Sequence, residues 1–248
     1  MGVREVTKIA KIVKVRLGDV AVVSAGQGAP QGDSAFIPSG GIPFVRAGHL
    51  VDLVSGLSES QLPGTSEDVA KKYRLKLQRR GTVLFAKSGM SCMKGLVYRL
   101  KTDCYVVSHL ATVKTDNDIT DHYLEFYFQK HKPNLLIKDP AYPSLSLSDI
   151  SQIRLALPSL LEQKRIAEEL DQICELKKNA EERLALMDQL VKSRFVEMFG
   201  AVDLDIRGFN IVKIEDVCSD NFWIMPATLN MLKMARLDIL HRKISRVV

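Results

Sequence analysis

The chain has 248 residues, of which 46% are hydrophobic and 26% are charged, and its mean hydropathy is close to zero. These values exclude a disordered or fibrous chain, and no apolar run approaches the roughly 18 to 20 residues that would cross a bilayer. The N-terminal segment lacks the apolar core of a signal peptide, so we expect a cytoplasmic protein without a membrane partner. The four cysteines form no CxxC pair and the histidines show no ligand spacing, so we predict neither a disulfide framework nor a metal site.

The net charge of +6 is concentrated in the first two thirds of the chain. Residues 1–158 hold 21 Lys and Arg against 14 Asp and Glu, whereas residues 159–200 hold 7 against 9. Residues 71–101 contain ten basic residues and no acidic one, interleaved with apolar residues that place the run in a folded element. Basic side chains displace the counterions of a polyphosphate, so this run indicates nucleic acid, a solvated charged face being the alternative.

The pattern of residues 1–158 predicts a mixed α/β domain with short strands. Residues 11–26 are rich in β-branched side chains and predict a strand, a helical turn and a second strand. After a stretch dense in Gly, Pro and Ser, residues 66–77 predict a short helix that is capped by Ser66. Further strands are predicted within 81–89, 96–100 and 105–115, and a mostly buried helix is predicted at 121–131.

Residues 159–200 predict one long helix. From 161 to 199 there is neither Pro nor Gly, and helix-forming residues dominate. Apolar residues recur at heptad spacing, with the polar Lys177 at one position of the pattern: Ile166, Leu170, Ile173, Ala180, Leu184, Met187 and Val191. We call these seven residues the seam. A helix of roughly 50 to 60 Å is too long to be covered by the preceding domain, so we predict a partner helix on the seam. The alternative is a long helix docked on its own domain.

The third segment, residues 201–248, begins as a second copy of the first domain. Residues 211–219 repeat the pattern of residues 12–22, with Ile-Val-Lys, an aliphatic residue and then Asp-Val. Residues 222–248 have a helical composition and no match to the first domain. We interpret this segment as the truncated start of a second repeat, followed by a tail.

One tetrapeptide is similar to an enzyme motif. Residues 139–142, Asp-Pro-Ala-Tyr, are close to the (Asp/Asn)-Pro-Pro-(Tyr/Phe) motif with which amino-methyltransferases hold a flipped adenine. Ala141 breaks the motif, and nothing upstream resembles the glycine-rich turn that binds S-adenosylmethionine. We therefore predict a loop and no catalytic residue, the alternative being an adenine methyltransferase that uses Asp139 and Tyr142.

Seven segments form a further pattern through their order and spacing: VRLGDVAVVSAGQ, GIPFVRAGHL, GTVLFAKSG, SHLATVK, PSLSLSDISQIRLALP, LLEQKRIAEELDQI and KSRFVEMFG. Together they lie within residues 12–220, and they resemble the specificity subunits of Type I restriction-modification systems. The resemblance implies an α+β fold, with a target recognition domain at 1–158 and a coiled-coil-forming spacer helix at 159–200. Family members carry two such units, so the chain resembles a half-length subunit.

The resemblance also implies what the chain does. It would be a non-catalytic subunit that recognises half of a bipartite double-stranded DNA target and docks methyltransferase subunits and, through them, a restriction subunit. No cofactor is expected on this chain, and S-adenosylmethionine is expected on the methyltransferase subunit. The residues predicted to face DNA are Arg46, His49, Lys71, Lys72, Arg79, Arg80, Lys87, Ser88, Ser91 and Lys94.

The seam predicts how the chain assembles. Two copies joined through it would place two identical recognition domains about a two-fold axis, which predicts a palindromic bipartite target. Pairing with a different half-subunit is the alternative. A stand-alone DNA-binding regulator and a truncated remnant without activity are the remaining interpretations of the chain.

Overall fold

The computed structural model describes residues 13–32, 36–37 and 40–200, and the chain divides into two compact units between Ala180 and Glu181. The predicted repeat at 211–219 and the tail at 222–248 lie outside the described residues. Within the described ranges, the elements in chain order are β1 (Val13–Arg16), α1 (Leu17–Val20), β2 (Val22–Ala25), β3 (Ile42–Val45), α2 (Leu50–Val54), β4 (Gly64–Thr65), α3 (Glu67–Lys72), β5 (Val83–Ala86), α4 (Met90–Met93), β6 (Val97–Arg99), β7 (Tyr105–Val106), β8 (Leu110–Lys114), α5 (Asp118–Lys130), α6 (Leu147–Ser151), β9 (Arg154–Leu157) and α7 (Leu160–Phe199). The predicted α+β class and long C-terminal helix are confirmed.

Three sheets organise residues 13–157. The antiparallel four-stranded sheet has the order β2-β8-β5-β6. The three-stranded sheet has the order β4-β3-β7, in which β3 runs parallel to β7. The first and last strands, β1 and β9, form a separate antiparallel pair in which Val13 lies opposite Leu157. The two ends of the segment 13–157 therefore lie side by side.

The core is centred on β5, whose four residues are all buried. The helix α5 packs against it, and the ring centre of Phe128 lies 5.6 Å from that of Phe85. This helix begins three residues earlier than predicted because the side chain of Asn117 caps it by accepting the amide of Ile119. Burial of each such large apolar side chain contributes roughly 1.5 to 3 kcal/mol, so β5 and α5 form a stable platform for the loops around them.

The helix predicted at 66–77 is shorter in the structure. Ser66 caps it as predicted, but α3 ends at Lys72. The chain then reverses at Arg74, which has a φ of 53°, and the amide of Leu75 bonds back to the carbonyl of Ala70 at 2.8 Å. This is a Schellman ending in which an arginine occupies the left-handed position that glycine usually holds. A positive φ at a non-glycine residue has no simple sequence signal, so the sequence pattern predicts too long a helix.

The helix α7 has 40 residues and agrees with the predicted one. Its first turns are partly covered, since Ala167 is buried, Ile166 and Leu170 are half-buried, and Asp171 lies 3.1 Å from the His122 ring of α5. Residues 171–198 are all exposed. The described part of the chain therefore does not cover the seam beyond Leu170. None of the described helices combines the length and the apolar character needed to cross a membrane.

Candidate nucleic-acid interface

Several loops meet at one end of the two larger sheets. The end of β5 lies beside the start of β8 and the end of β2, because Ala86 pairs with Leu110 and Ala25 pairs with Ala111. The parallel strands β3 and β7 end together, and β7 leads into β8 through only three residues. We call this the loop end and define it by residues 26–32, 46–49, 87–95 and 107–109. Loops that a rigid sheet positions in this way commonly carry binding residues.

His109 joins two loops at this end. Its carbonyl accepts the amide of Lys87 at 2.9 Å, and its Nδ1 lies 2.8 Å from the hydroxyl of Ser88. The preceding residue donates its amide to the carbonyl of Gln27 at 2.8 Å, and the Gln27 side chain accepts the amide of Lys76 at 3.0 Å. The loop end thus holds Lys87 and Ser88, which the sequence predicted, together with Gln27 and His109, which it did not, and the main chain of Lys76 is tied to it through Gln27.

Arg46 and His49 follow β3 at the same end. The guanidinium of Arg46 lies 4.5 Å from the ring centre of Phe36, and its main-chain amide donates to Nδ1 of His49 at 3.3 Å. Burial and the charge of Arg46 lower the pKa of His49 below its ordinary value of 6.5. His49 is therefore neutral at pH 7 and orients the turn, while the exposed guanidinium supplies the charge. A shallow cavity of about 340 Å³ lies against Arg46, Phe36 and residues 29–32.

Four of the predicted DNA-facing residues surround the short helix α4. Lys87 and Ser88 precede it, Ser91 lies within it, and Lys94 follows it directly. Neither lysine forms an ion pair with a described residue, so both ammonium charges remain available for phosphates. Gly89 allows the chain to enter α4 with a φ of 76°, which a residue with a side chain rarely adopts.

Arg79 and Arg80 lie away from the loop end, because they precede β5 rather than follow it. The Arg79 guanidinium donates to Asp103 at 2.8 Å, and the main-chain amide of Arg80 donates to the same carboxylate at 2.8 Å. The bond from the Arg80 amide, together with Arg79, lowers the pKa of Asp103 below its ordinary value. Asp103 thus stays ionised and offsets the charge of Arg79. The structure does not bring this pair of arginines together with Lys87 and Lys94.

Lys71 and Lys72, which the sequence predicted to face DNA, are both exposed at the end of α3. Lys71 pairs with Glu67 at 3.8 Å, and the Lys72 ammonium lies 5.7 Å from the ring centre of Tyr73. The positive charge of the run at 71–101 is thus partly neutralised in the folded structure. Carboxylates from outside the run pair with four of its ten basic residues, as Glu67 does with Lys71, Asp103 with Arg79, and Glu125 with Arg99 and Lys101.

The tetrapeptide at 139–142 forms a turn. The Asp139 carboxylate accepts the amide of Ala141 at 2.9 Å, and the Tyr142 side chain is 82% exposed. A carboxylate that closes its own turn and an exposed ring do not form the closed pocket that a flipped base requires. Among the described residues, no group of three or more His, Cys, Asp or Glu side chains is arranged to hold a metal ion.

The comparison with known protein families accounts for this arrangement. The family described as the Type I restriction modification DNA specificity domain matches residues 10–186. The chain therefore belongs to this family of DNA specificity domains. A curated relative is the specificity subunit of the type I restriction enzyme MjaIX from Methanocaldococcus jannaschii, which is 30% identical over 150 residues. The match covers 58% of this chain and 33% of that subunit.

Two solved structures share the fold. The HsdS subunit from Thermoanaerobacter tengcongensis gives a TM-score of 0.54 at 23% identity, over 82% of this chain and 48% of that one. A chain from a study of complex assembly and conformational transition of the type I R-M system gives 0.58 at 23% identity, over 82% of this chain and 49% of that one. The present chain thus spans about half the length of both chains and about a third of the MjaIX subunit.

Proposed function

We propose that this chain is a DNA sequence-specificity subunit of a type I restriction-modification system and that residues 1–158 recognise half of a bipartite target. The observation that carries the proposal is the loop end, which contains Arg46, Ser88 and Ser91 together with Lys87 and Lys94, two lysines that form no ion pair with a described residue. Lysines at phosphates position a domain on duplex DNA, whereas arginine and serine discriminate base edges in the major groove. Membership of the DNA specificity family supports this assignment.

In this proposal the chain performs no chemistry. Methyltransferase subunits dock on it and carry S-adenosylmethionine, and a restriction subunit joins through that complex. The relative from Methanocaldococcus jannaschii is named as the specificity subunit of a restriction enzyme, which supports a role inside such an assembly. The chain itself then needs no cofactor.

The seam of α7 supports pairing with a second helix. Ile173, Leu184, Met187 and Val191 are 58% to 70% exposed and recur at heptad spacing along one stripe. Water-exposed apolar side chains regain roughly 1.5 to 3 kcal/mol each when they are fully buried, which favours a coiled coil. We propose that two copies of the chain pair through this stripe, so that the recognised DNA sequence is a bipartite palindrome. Pairing with a different subunit would instead give an asymmetric target.

The decisive experiment is methylome sequencing of cells that lack other DNA methylation and that express this chain with a cognate methyltransferase subunit. The expected result is methylated adenine at one bipartite palindromic motif, with none when either subunit is expressed alone. An asymmetric motif would retain the specificity role and overturn the pairing of two copies. The control Arg79→Gln variant should keep the motif, since this side chain is already paired with Asp103.

Three other outcomes would overturn the proposed function. Methyl transfer from S-adenosylmethionine by the purified chain alone, abolished by Asp139→Ala, would make it an adenine methyltransferase. Tight sequence-selective binding with no support of methylation would make it a stand-alone regulator. A folded chain that neither binds DNA selectively nor supports methylation would be an inactive remnant.

A further inference from the structure

Two strongly exposed apolar side chains lie on segments that touch at the loop end. Met90 is 72% exposed and Tyr142 is 82% exposed. Met90 directly follows Gly89, Tyr142 directly precedes Pro143, and the amide of Gly89 donates a 3.1 Å hydrogen bond to the carbonyl of Pro143. We call Met90 and Tyr142 the apolar ridge. Exposed large apolar side chains in one place commonly mark a binding surface.

The ridge stands on a fixed base. The amide of Leu145 donates to the carbonyl of Lys87 at 2.7 Å, and Ser144 forms an antiparallel bridge with Ser88. Leu145 is only 3% exposed and belongs to the core, so the segment that carries Tyr142 is tied to the sheet. A backbone that is held on such a base loses little conformational freedom when its side chains bind, which favours a specific contact.

Three lysines that form no ion pair with a described residue lie on segments that adjoin the ridge. Lys87 and Lys94 flank α4, and Lys132 is exposed two residues before Asn134, whose side chain donates to the carbonyl of Met93 at 2.9 Å. No ion pair joins any of these three lysines to a residue in the described part of the chain. Duplex DNA complements this surface because its phosphates attract the lysines while its bases offer apolar faces.

We propose that Met90 and Tyr142 contact the stacked bases of the target DNA and separate a base step, so that they add sequence preference without hydrogen bonds to base edges. This inference rests on the proposed function. Apolar side chains that enter between base pairs unstack them at a cost of about a few kcal/mol, which is lowest at flexible pyrimidine–purine steps. The ridge therefore selects sequences that deform easily, while the lysines hold the phosphates on either side.

The proposal is tested with duplexes that the wild-type chain enriches from a random pool of duplexes about three helical turns long. Affinity is measured over a series of salt concentrations for the wild type, the Met90→Ala/Tyr142→Ala double variant and Lys94→Gln. The double variant should bind about tenfold to a hundredfold more weakly at every salt concentration, with an unchanged salt slope. Lys94→Gln should instead reduce the slope by about 0.9, since it removes one phosphate contact. Leu161→Ala removes an equally exposed apolar side chain, 81% accessible, and should have no effect.

A fluorescence measurement tests whether the ridge contacts the bases of bound DNA. Tyr142→Trp is combined with Trp223→Phe, which removes the only natural tryptophan. Stacking against a base should quench the new tryptophan when the enriched duplex is added. A matched Leu161→Trp reporter in the same background should not respond.

The outcomes separate this inference from the proposed function. If the wild-type chain enriches and binds duplexes while the ridge variants bind equally well and the Tyr142→Trp reporter is not quenched, the ridge proposal is wrong and the specificity role stands. Quenching by an added methyltransferase subunit but not by DNA would also overturn the ridge proposal, because the ridge would then be a protein-docking surface. A wild-type chain that enriches no duplex, alone or with the methyltransferase subunit, would overturn both.

Discussion

The guanidinium of Arg79 donates a 2.8 Å hydrogen bond to the carboxylate of Asp103, which lies 24 residues further along the chain. The same carboxylate accepts the main-chain amide of Arg80, so it is held in place by two donors. The charge of Arg79 is therefore paired within the domain, whereas Lys94 at the loop end forms no ion pair with a described residue. The charge of a basic residue in the 71–101 run therefore does not by itself indicate a DNA contact.

We expect Arg79→Gln and Lys94→Gln, which remove the same charge, to differ in their effect on DNA binding. Lys94→Gln should weaken binding and reduce the slope of log affinity against log salt by about 0.9, because one released counterion is lost. Arg79→Gln should leave the slope unchanged. Fluorescence anisotropy with an enriched duplex over a salt series measures both. Equal slopes for the two variants would contradict the claim that the loop end contacts DNA phosphates and the other end of β5 does not.

The seam is tested by two nearby leucines of α7 that are 63% exposed, Leu184 in the seam and Leu186 on another face. Leu184→Asp should convert a dimer into a monomer in sedimentation analysis, because a charge at the seam loses its hydration when two helices pair. Leu186→Asp should leave the dimer mass unchanged. A dimer that survives Leu184→Asp, or that is lost equally in both variants, would contradict the seam as the contact between copies.

The buried carboxylate of Asp121 gives a stability prediction. It is fully buried, accepts the amide of Thr115 at 2.7 Å and is paired with the ammonium of Lys114. We expect Lys114→Met to lower the free energy of unfolding at pH 7 by about 3 kcal/mol, because the carboxylate loses its partner. Urea unfolding followed by circular dichroism measures this change. Asp118→Asn removes the other, 78% exposed carboxylate at Lys114 and should change stability by less than about 1 kcal/mol.

The pH dependence of this variant follows from the pKa of Asp121. Burial raises this pKa above its ordinary value of 3.8, while the bonds from Lys114 and the Thr115 amide lower it. Without Lys114 the pKa in the folded state should rise further. A folded-state pKa above the unfolded value means that stability decreases as pH rises between the two values. The deficit of Lys114→Met should therefore be smallest in acid and largest at neutral pH, and a deficit that grows toward acid would contradict this account.

Arg74 provides a prediction about the backbone. It is a non-glycine residue with a φ of 53° at the end of α3, where a side chain is strained. We expect Arg74→Gly to raise stability or leave it unchanged, since about 1 kcal/mol of strain is relieved while the unfolded chain gains freedom. Arg74→Val should lower it by more than about 1 kcal/mol. Thermal unfolding of both variants measures these effects, and a strongly destabilised Arg74→Gly would show that the arginine side chain itself holds the turn.

Most helices and strands could be predicted because the sequence patterns that define them extend over a few consecutive residues. β-branched runs bounded by turn residues predicted β1, β2 and β5, and the absence of Pro and Gly predicted α7 with its heptad stripe. The Ser66 cap was also confirmed, whereas the end of α3 was not, because the left-handed Arg74 overrides the helix pattern. The candidate interface was predicted only in part, since the pairing of the strands brings His109 beside Lys87 and ties Gln27 to the residue before His109.

By itself, the sequence determined the class of the molecule: an α+β domain, a long helix with an apolar stripe, and a basic bias in the first segment. These follow from periodicity and composition, which act over a few residues at a time. Only the tertiary structure decided which charges are free. Asp103 and Glu125 are distant in sequence from the arginines that they pair with, and Coulomb attraction depends on separation in space rather than along the chain. For the same reason only the fold could place Met90 beside the segment of Tyr142, through one hydrogen bond between Gly89 and Pro143.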